Sequence, residues 1–285
     1  MKKLIIFCSI LFVSQTSWSY IPRFDYVINR TADVHGSGIY LIDQDVTLIG
    51  TGQSPITLHE QWLVSSGKLM RMKLTGRNEW ADSIRKTVIY NDKQQYSVNS
   101  QGKKTIEKRR DDFLESFFYF RSTSYLKSLL YNWNIIPRKA LADPPRLSRI
   151  EEIRNDPEDF VSLSRSGGKV SYKFQIKDES HQKSPAMWIE QDYFHILRLR
   201  TPTEAEIIAD NYQHHRNNLW LPQIREIRWG EQKAVINVTQ VKYLGQSSSL
   251  KKRLSASSLD TNKEPELKEI KPENIIVNEF YSRFR

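Results

Sequence analysis

The chain has 285 residues, 39% of them hydrophobic and 11% aromatic, so it carries enough apolar surface for a sizeable core and is not disordered in bulk. Its 43 lysines and arginines outnumber 33 acidic residues, a formal charge of +10, and it holds one cysteine. Without the first 19 residues, 266 remain with a charge of +8 and no cysteine, which excludes a disulfide framework, a thiolate metal site and a cysteine nucleophile there.

In chain order, Lys2 and Lys3 precede the apolar run Leu4–Val13, and Ser17-Trp18-Ser19 supplies small residues on either side of Trp18. This pattern predicts a signal peptide over 1–19, cut after Ser19, and export to the periplasm. The run is about half the length that spans a bilayer. Cys8 lies inside it without a small-residue lipobox, which argues against a lipid anchor. Residues 22–35 predict a helix: Pro22 suits a first turn, and Phe24, Val27, Ile28 and Thr31 share one stripe.

Alternating segments follow. Tyr40, Ile42, Val46 and Leu48 oppose Asp43, Asp45 and Thr47, while Ile56-Leu58-Glu60-Trp62-Val64 forms a dry face with one acidic interruption. Met70, Met72 and Leu74 oppose Arg71, Lys73 and Thr75. A period of two is what a sheet with one wet and one dry face produces. Further strands are expected at 86–91 and 95–99. Two helices are then expected: 111–121, with Phe113, Phe117 and Phe120, and 124–133, with Leu126, Leu129, Leu130 and Trp133.

Strand patterns resume at 159–166 and at 169–177, where Val170, Tyr172, Phe174 and Ile176 share a face. They continue at 186–191, 194–201, 205–212, 222–229 and 233–243, with turn signals such as Gly50-Thr51-Gly52 and Ser166-Gly167-Gly168 between strands. Roughly ten strands with short connections predict an α+β, mainly antiparallel fold. The helices inserted midway suggest a strongly curved sheet wrapped over them. From Gly245 to about Pro272 the composition turns polar, so 246–285 reads as a linker and tail beyond a domain at 20–245. Its aromatic finish, 274–285, suits a last strand or a docked tail.

No catalytic signature stands above background. His59-Glu60 opens like a zinc-protease helix, but Leu63 stands where the second ligand would be, and the segment is a strand pattern. Side chains of the adjacent His214 and His215 point apart in a strand. Ser-x-x-Lys occurs at Ser83, Ser124 and Ser248 without the companion motifs of penicillin-recognising enzymes. Gly167-Gly168-Lys169 lacks the flanking residues of a phosphate loop. The acid pairs Asp43/Asp45 and Glu190/Asp192 read as solvated charges. We therefore expect no catalytic residue, no metal and no cofactor. The basic runs Lys103-Lys104, Lys108-Arg109-Arg110 and Lys251-Lys252-Arg253 do not argue for nucleic acid in an exported protein; anionic lipid head groups or an acidic partner are better counter-charges, beside plain solubility.

The order of these pieces resembles the periplasmic lipoprotein carrier family, the LolA-like fold. The resemblance rests on helix 22–35, the strand 39–49, the tryptophan strand 56–64, Gly67-Lys68-Leu69-Met70-Arg71, the Val88–Ser97 hairpin and the inserted helical pair. It continues through Asp159–Ser164, 169–177 and Met187–Asp192, and covers about residues 22–243. It implies an unclosed barrel of antiparallel strands whose concave side, lidded by helices, holds acyl chains without catalysis. Trp62, Met70, Met72, Leu74, Phe113, Phe117, Tyr172, Phe174, Ile176 and Trp188 would line that cavity. Arg71 is the nearest counterpart of the arginine that fastens the family's lid, although Met72 follows it in place of proline. The implied partners are a lipid or an acylated lipoprotein, with membrane-associated envelope proteins. The same half-barrel also serves as an envelope sensor or scaffold that binds a protein, which is the alternative reading. An outer-membrane β-barrel fits less well, because charged residues face outward on almost every strand.

Overall fold

The alternation seen in the sequence builds a single curved antiparallel sheet. A computed structural model describes residues 21–52, 54–81, 83–142, 158–177, 183–262, 266–268 and 275–285; the expected signal peptide lies outside these. One meander runs through β1 (Ile39–Ile49), β2 (Ile56–Ser66), β3 (Leu69–Gly76), β4 (Ile84–Asn91), β5 (Gln94–Val98) and β6 (Lys104–Lys108). A second runs through β7 (Val161–Ser166), β8 (Lys169–Phe174), β9 (Ala186–Glu190), β10 (Ile196–Arg200), β11 (Glu206–His215), β12 (Leu219–Trp229) and β13 (Gln232–Gly245). Strands β1 and β13 pair and join the two meanders into the order β6-β5-β4-β3-β2-β1-β13-β12-β11-β10-β9-β8-β7, with the short β14 (Leu267–Lys268) against β4.

The continuous path thus holds thirteen strands rather than roughly ten. Strand β6 was hidden because its Lys104-Thr105-Ile106-Glu107-Lys108 is an exposed edge with no dry face to read. Charge on an edge strand discourages further pairing. Among the described residues, β6 and β7 do not pair with one another, so the barrel is unclosed.

The inner face carries the core. Strand β1 contributes Tyr40, Ile42, Val46 and Leu48, β2 contributes Ile56, Leu58, Trp62 and Val64, and β3 contributes Met70, Met72 and Leu74. A one-sided apolar sheet needs a cover. Helix α1 (Phe24–Asp33) provides part of it, with Phe24 edge-on to Phe160 and Phe174 at 5.3 and 5.0 Å. Helix α2 (Thr123–Asn132) starts where the Ser122 hydroxyl accepts the Tyr125 N–H at 3.1 Å, an N-cap. Lys127 of α2 is buried and pairs with Asp25 of α1 at 2.5 Å, tying the two helices together.

Two expectations are corrected, and a third, open between a strand and a docked tail, is decided. Residues 111–121 form one helical turn at Glu115–Phe117 instead of a helix, because every residue from Phe113 to Phe120 is buried and no wet face is left for an amphipathic helix. The polar stretch after Gly245 contains α3 (Ser248–Arg253), whose flank places Leu254 against Ile39 and Leu63 on the outer face of the sheet. The aromatic finish is a docked helix, α4 (Ile275–Phe284), not a strand; it buries Ile276, Val277, Phe280 and Phe284 in the same core.

His35 closes the α1 region, stacked on Phe120 at 4.0 Å with its Nδ1 2.7 Å from the Thr31 carbonyl. Burial drives its pKa down to about 4, and burial does the same at His195. Between pH 6.5 and 4 the unfolded chain therefore binds more protons than the folded one. Stability is expected to be full above pH 6.5 and to fall on acidification, by about 3 kcal/mol for His35 alone. Urea midpoints across this range test it: His35→Asn should flatten the slope in part, leaving the share of His195.

Candidate functional site

Three inner faces carry a polar residue where an apolar one would complete the pattern: Gln44 in β1, Glu60 in β2 and Arg225 in β12. Gln44 and Glu60 are direct cross-strand partners, and the Gln44 amide donates to Glu60 Oε2 at 2.6 Å. Arg225 reaches the same spot from the other meander and donates to Gln44 Oε1 at 2.5 Å. Glu115, in the single turn of the inserted segment, accepts both Arg225 contacts at 2.7 and 2.8 Å. Arg285, just beyond α4, donates to Glu60 Oε1 at 3.0 Å and lies 3.1 Å from Glu115 Oε1. Two carboxylates and two guanidinium groups, all fully buried, thus neutralise one another at the centre of the half-barrel.

Aromatic rings wall this cluster. The Arg285 guanidinium lies over Trp62 at 5.5 Å and Phe280 at 5.0 Å, and that of Arg225 over Phe118 at 5.0 Å. The Trp62 indole N–H donates to Glu60 Oε2 at 2.8 Å. Burial alone would raise the Glu60 carboxyl, but Arg285 and the bonds from Trp62 and Gln44 outweigh it and hold Glu60 below its ordinary value. Both arginines are held above theirs by the carboxylates against the opposing effect of burial. The buried Tyr90 and Tyr119 hydroxyls make no hydrogen bond among the described residues, and burial raises both pKa values.

The elements that deliver these groups are fastened separately. Gly67, in the β2–β3 turn, is the anchor of the inserted segment: its N–H donates to the Tyr119 carbonyl at 2.6 Å, and its carbonyl accepts from Ser116 Oγ at 2.9 Å. A Cβ at this position would stand 2.9 Å from the Ser116 carbonyl oxygen, so the close approach requires glycine. Helix α4 is held at its outer side by Trp229 Nε1 donating to Glu279 at 2.9 Å, and by Arg283 pairing with Asp112 at 3.2 Å.

Most of the cavity-lining residues expected from the sequence do come together. Trp62, Met70, Met72, Leu74, Phe113, Phe117, Tyr172 and Phe174 all belong to the one inner core. Trp62 faces Met72 across β2 and β3, Tyr90 stacks on Phe113 at 4.5 Å, and Phe117 meets Trp133 at 4.3 Å. Two do not join them. Ile176 lies past the end of β8 and is half-buried outside the core. Trp188 lies outside the inner core too, covered by the Lys173, Arg198 and Arg200 cations 4.8–5.4 Å from its ring, with its N–H toward Ser164 Oγ at 3.4 Å. Arg71 donates to the Arg253 carbonyl at 3.1 Å and Ser258 Oγ at 2.9 Å, beside the outer-face helix α3. Asp43 and Asp45, expected as solvated charges, face His59, whose Nδ1 lies 2.9 Å from Asp45.

The inner face is filled by α1, the inserted segment and α4. Among the described residues, three clefts of about 440, 560 and 550 Å³ open, one of them beside α4, and of the expected lining residues only Phe113 reaches one of them. Arg225 and Glu115 carried no assignment in the sequence. The available signal was the single charged interruption of a dry face, present in β2 at Glu60 and again at Arg225 between Leu221 and Ile227 of β12.

No family model matches the sequence, and no curated protein matches it. Solved structures do match in fold. A LolA superfamily protein from Nitrosomonas europaea superposes with a TM-score of 0.51 at 6% identity, over 84% of this chain and 100% of that one. A DUF1329 family protein from Desulfovibrio piger superposes with a TM-score of 0.51 at 14% identity, over 83% and 97%. The chain has the LolA-like fold.

The charge cluster makes a direct prediction. Arg225→Met removes the cation that Glu115 and Gln44 face, and should lower stability by about 3–5 kcal/mol because a carboxylate is left buried with too little counter-charge. Glu115→Leu combined with Arg225→Met removes one pair whole, leaves Glu60 with Arg285, and should recover most of the loss. Urea unfolding of the single and double variants reads both.

Proposed function

We propose that this protein is an exported, non-enzymatic carrier-like protein that holds the acyl chains of a lipid or lipoprotein in the hollow now filled by α4. The observation that carries this reading is the origin of the filling. Around the central charges the concave face is apolar, and the helix against it comes late in the chain, after the polar stretch that follows β13. The methionines Met70 and Met72 add a wall that adapts to irregular chains. The signal-peptide pattern at 1–19 supports a periplasmic address.

The exchange sets the size of the guest. Withdrawing α4 exposes four apolar side chains, at about 1.5–3 kcal/mol each, and strips the carboxylates of Arg285, at about 3–5 kcal/mol. A twelve-carbon chain returns on the order of 10 kcal/mol. One chain meets only the low end of that cost, whereas two favour the exchange. The reading therefore calls for a guest with at least two acyl chains.

The occupied hollow also favours a second reading, an envelope sensor or scaffold that uses the half-barrel to bind a protein. Lipid analysis separates the two. Protein extracted from the periplasm without detergent should carry lipids with two or more chains by mass spectrometry; a lipid-free protein with one stable protein partner would favour the scaffold. Plug and wall should also respond with opposite sign. Phe280→Asp, in α4, should raise the affinity of a fluorescent acyl probe, and Met72→Asp, in the wall, should abolish probe binding or folding. Circular dichroism distinguishes the last two outcomes.

A further inference from the structure

The three clefts share residues and so outline one mouth. Thr203 lines two of them and Trp229 lines two. Nine lysines and arginines line these clefts against six carboxylates. Arg110 and Arg228 pair with Glu107 and Glu226 just outside the clefts, which leaves nine cations against eight carboxylates. Lys93 and Lys183 are exposed and have no carboxylate partner among the described residues, while Arg198 and Arg200 share the single carboxylate of Glu206. Lys173 stands with these two arginines over Trp188, and burial and their charges both push its pKa down.

Cations crowded in this way repel one another, and an anion between them relieves the repulsion. Guanidinium groups suit phosphate oxygens in particular, through paired N–H donors. The mouth also has an apolar floor. Phe113, Trp133 and Trp229 line its clefts, and Trp229 packs on Phe280 and Phe284 at 5.8 and 5.3 Å, on the course that α4 takes toward the centre. A cationic rim above an apolar passage matches an amphiphile bound with its head outward.

We propose that this mouth is a docking site for the anionic phosphate head group of a lipid whose acyl chains take the place of α4. The inference rests on the carrier reading above and adds the chemical class of the guest. It also gives the basic surplus a location, since the four central charges cancel and the rim does not.

The test uses the full exported protein, mixed with vesicles of phosphatidylglycerol or of phosphatidylcholine, and reads lipid carried away on the protein after the vesicles are removed. Phosphatidylglycerol should be extracted in preference, and Lys93→Glu with Lys183→Glu should reduce that preference about tenfold or more. Both positions are exposed, and an unfolding midpoint confirms that the variant folds; Arg200→Gln provides a second, milder change. Equal extraction of the two lipids, or a preference unchanged by charge reversal, overturns the inference. Saturation by inorganic phosphate alone, with equal displacement of phosphatidylglycerol, also overturns it and assigns the rim to free phosphate. Dilauroylglycerol, which has two chains and no phosphate, tests the hollow itself. If it enters while the head-group preference is missing, only the present inference fails; if neither it nor any phospholipid enters, the carrier reading fails with it.

Discussion

Everything inside this half-barrel is arranged around four charges that cannot be solvated. Glu60, Glu115, Arg225 and Arg285 come from β2, the inserted segment, β12 and the end of α4, and each is complete only when the others are present. Burying such a set rarely adds net stability, because desolvation consumes most of the attraction. Its effect is on arrangement. With Arg285 elsewhere, two carboxylates would face one guanidinium in an apolar surround, so one docking of α4 is favoured over the many that its greasy face would otherwise allow.

The sheet makes such a device necessary. Two meanders fan out from the β1–β13 pair, and their common inner surface is too broad for the side chains of the sheet to close on themselves. Something must cover it. Helices α1 and α2 cover part and are tied to each other through Asp25 and Lys127, an attachment made without the central charges. The inserted segment is fixed at Gly67, again independently. Helix α4 is fastened through Glu279, Arg283 and Arg285, and two of these contacts end on Asp112 and Glu115, so its release loosens the inserted segment but not the tie between α1 and α2.

How much of this was legible follows from the periodicity of each element. The alternation in β1, β2, β3 and β8 gave the sheet and most of its inner residues, because one side of each strand is dry. Alternation carries no signal where burial has no period. Residues 113–120 are buried on every side, so their phenylalanine spacing mimicked a helical stripe. All five residues of β9 are buried, and alternation could not say that Trp188 lies under a layer of cations rather than in the cavity. Glu60 stood out as an interruption, but its meaning required Arg285, just beyond α4 and more than two hundred residues away, which no local pattern connects.

The same distinction between local and distant charge explains how a strongly basic chain keeps a neutral centre. A carboxylate–guanidinium set at low dielectric is restricted to near-zero sum, since an unmatched charge there costs several kcal/mol. At the rim, water and counter-ions screen like charges, so an excess of lysine and arginine is tolerated at small cost. The molecule thus separates two demands that a single site would find incompatible. Matched charges inside select which segment fills the hollow, and unmatched charges outside attract what could replace it. An amphiphile meets the outer demand with its head and the inner one only in part, because its chains bring nothing for Glu60 to pair with. Replacement of α4 is therefore less favourable than the chains alone would make it, which lets a guest leave as well as enter.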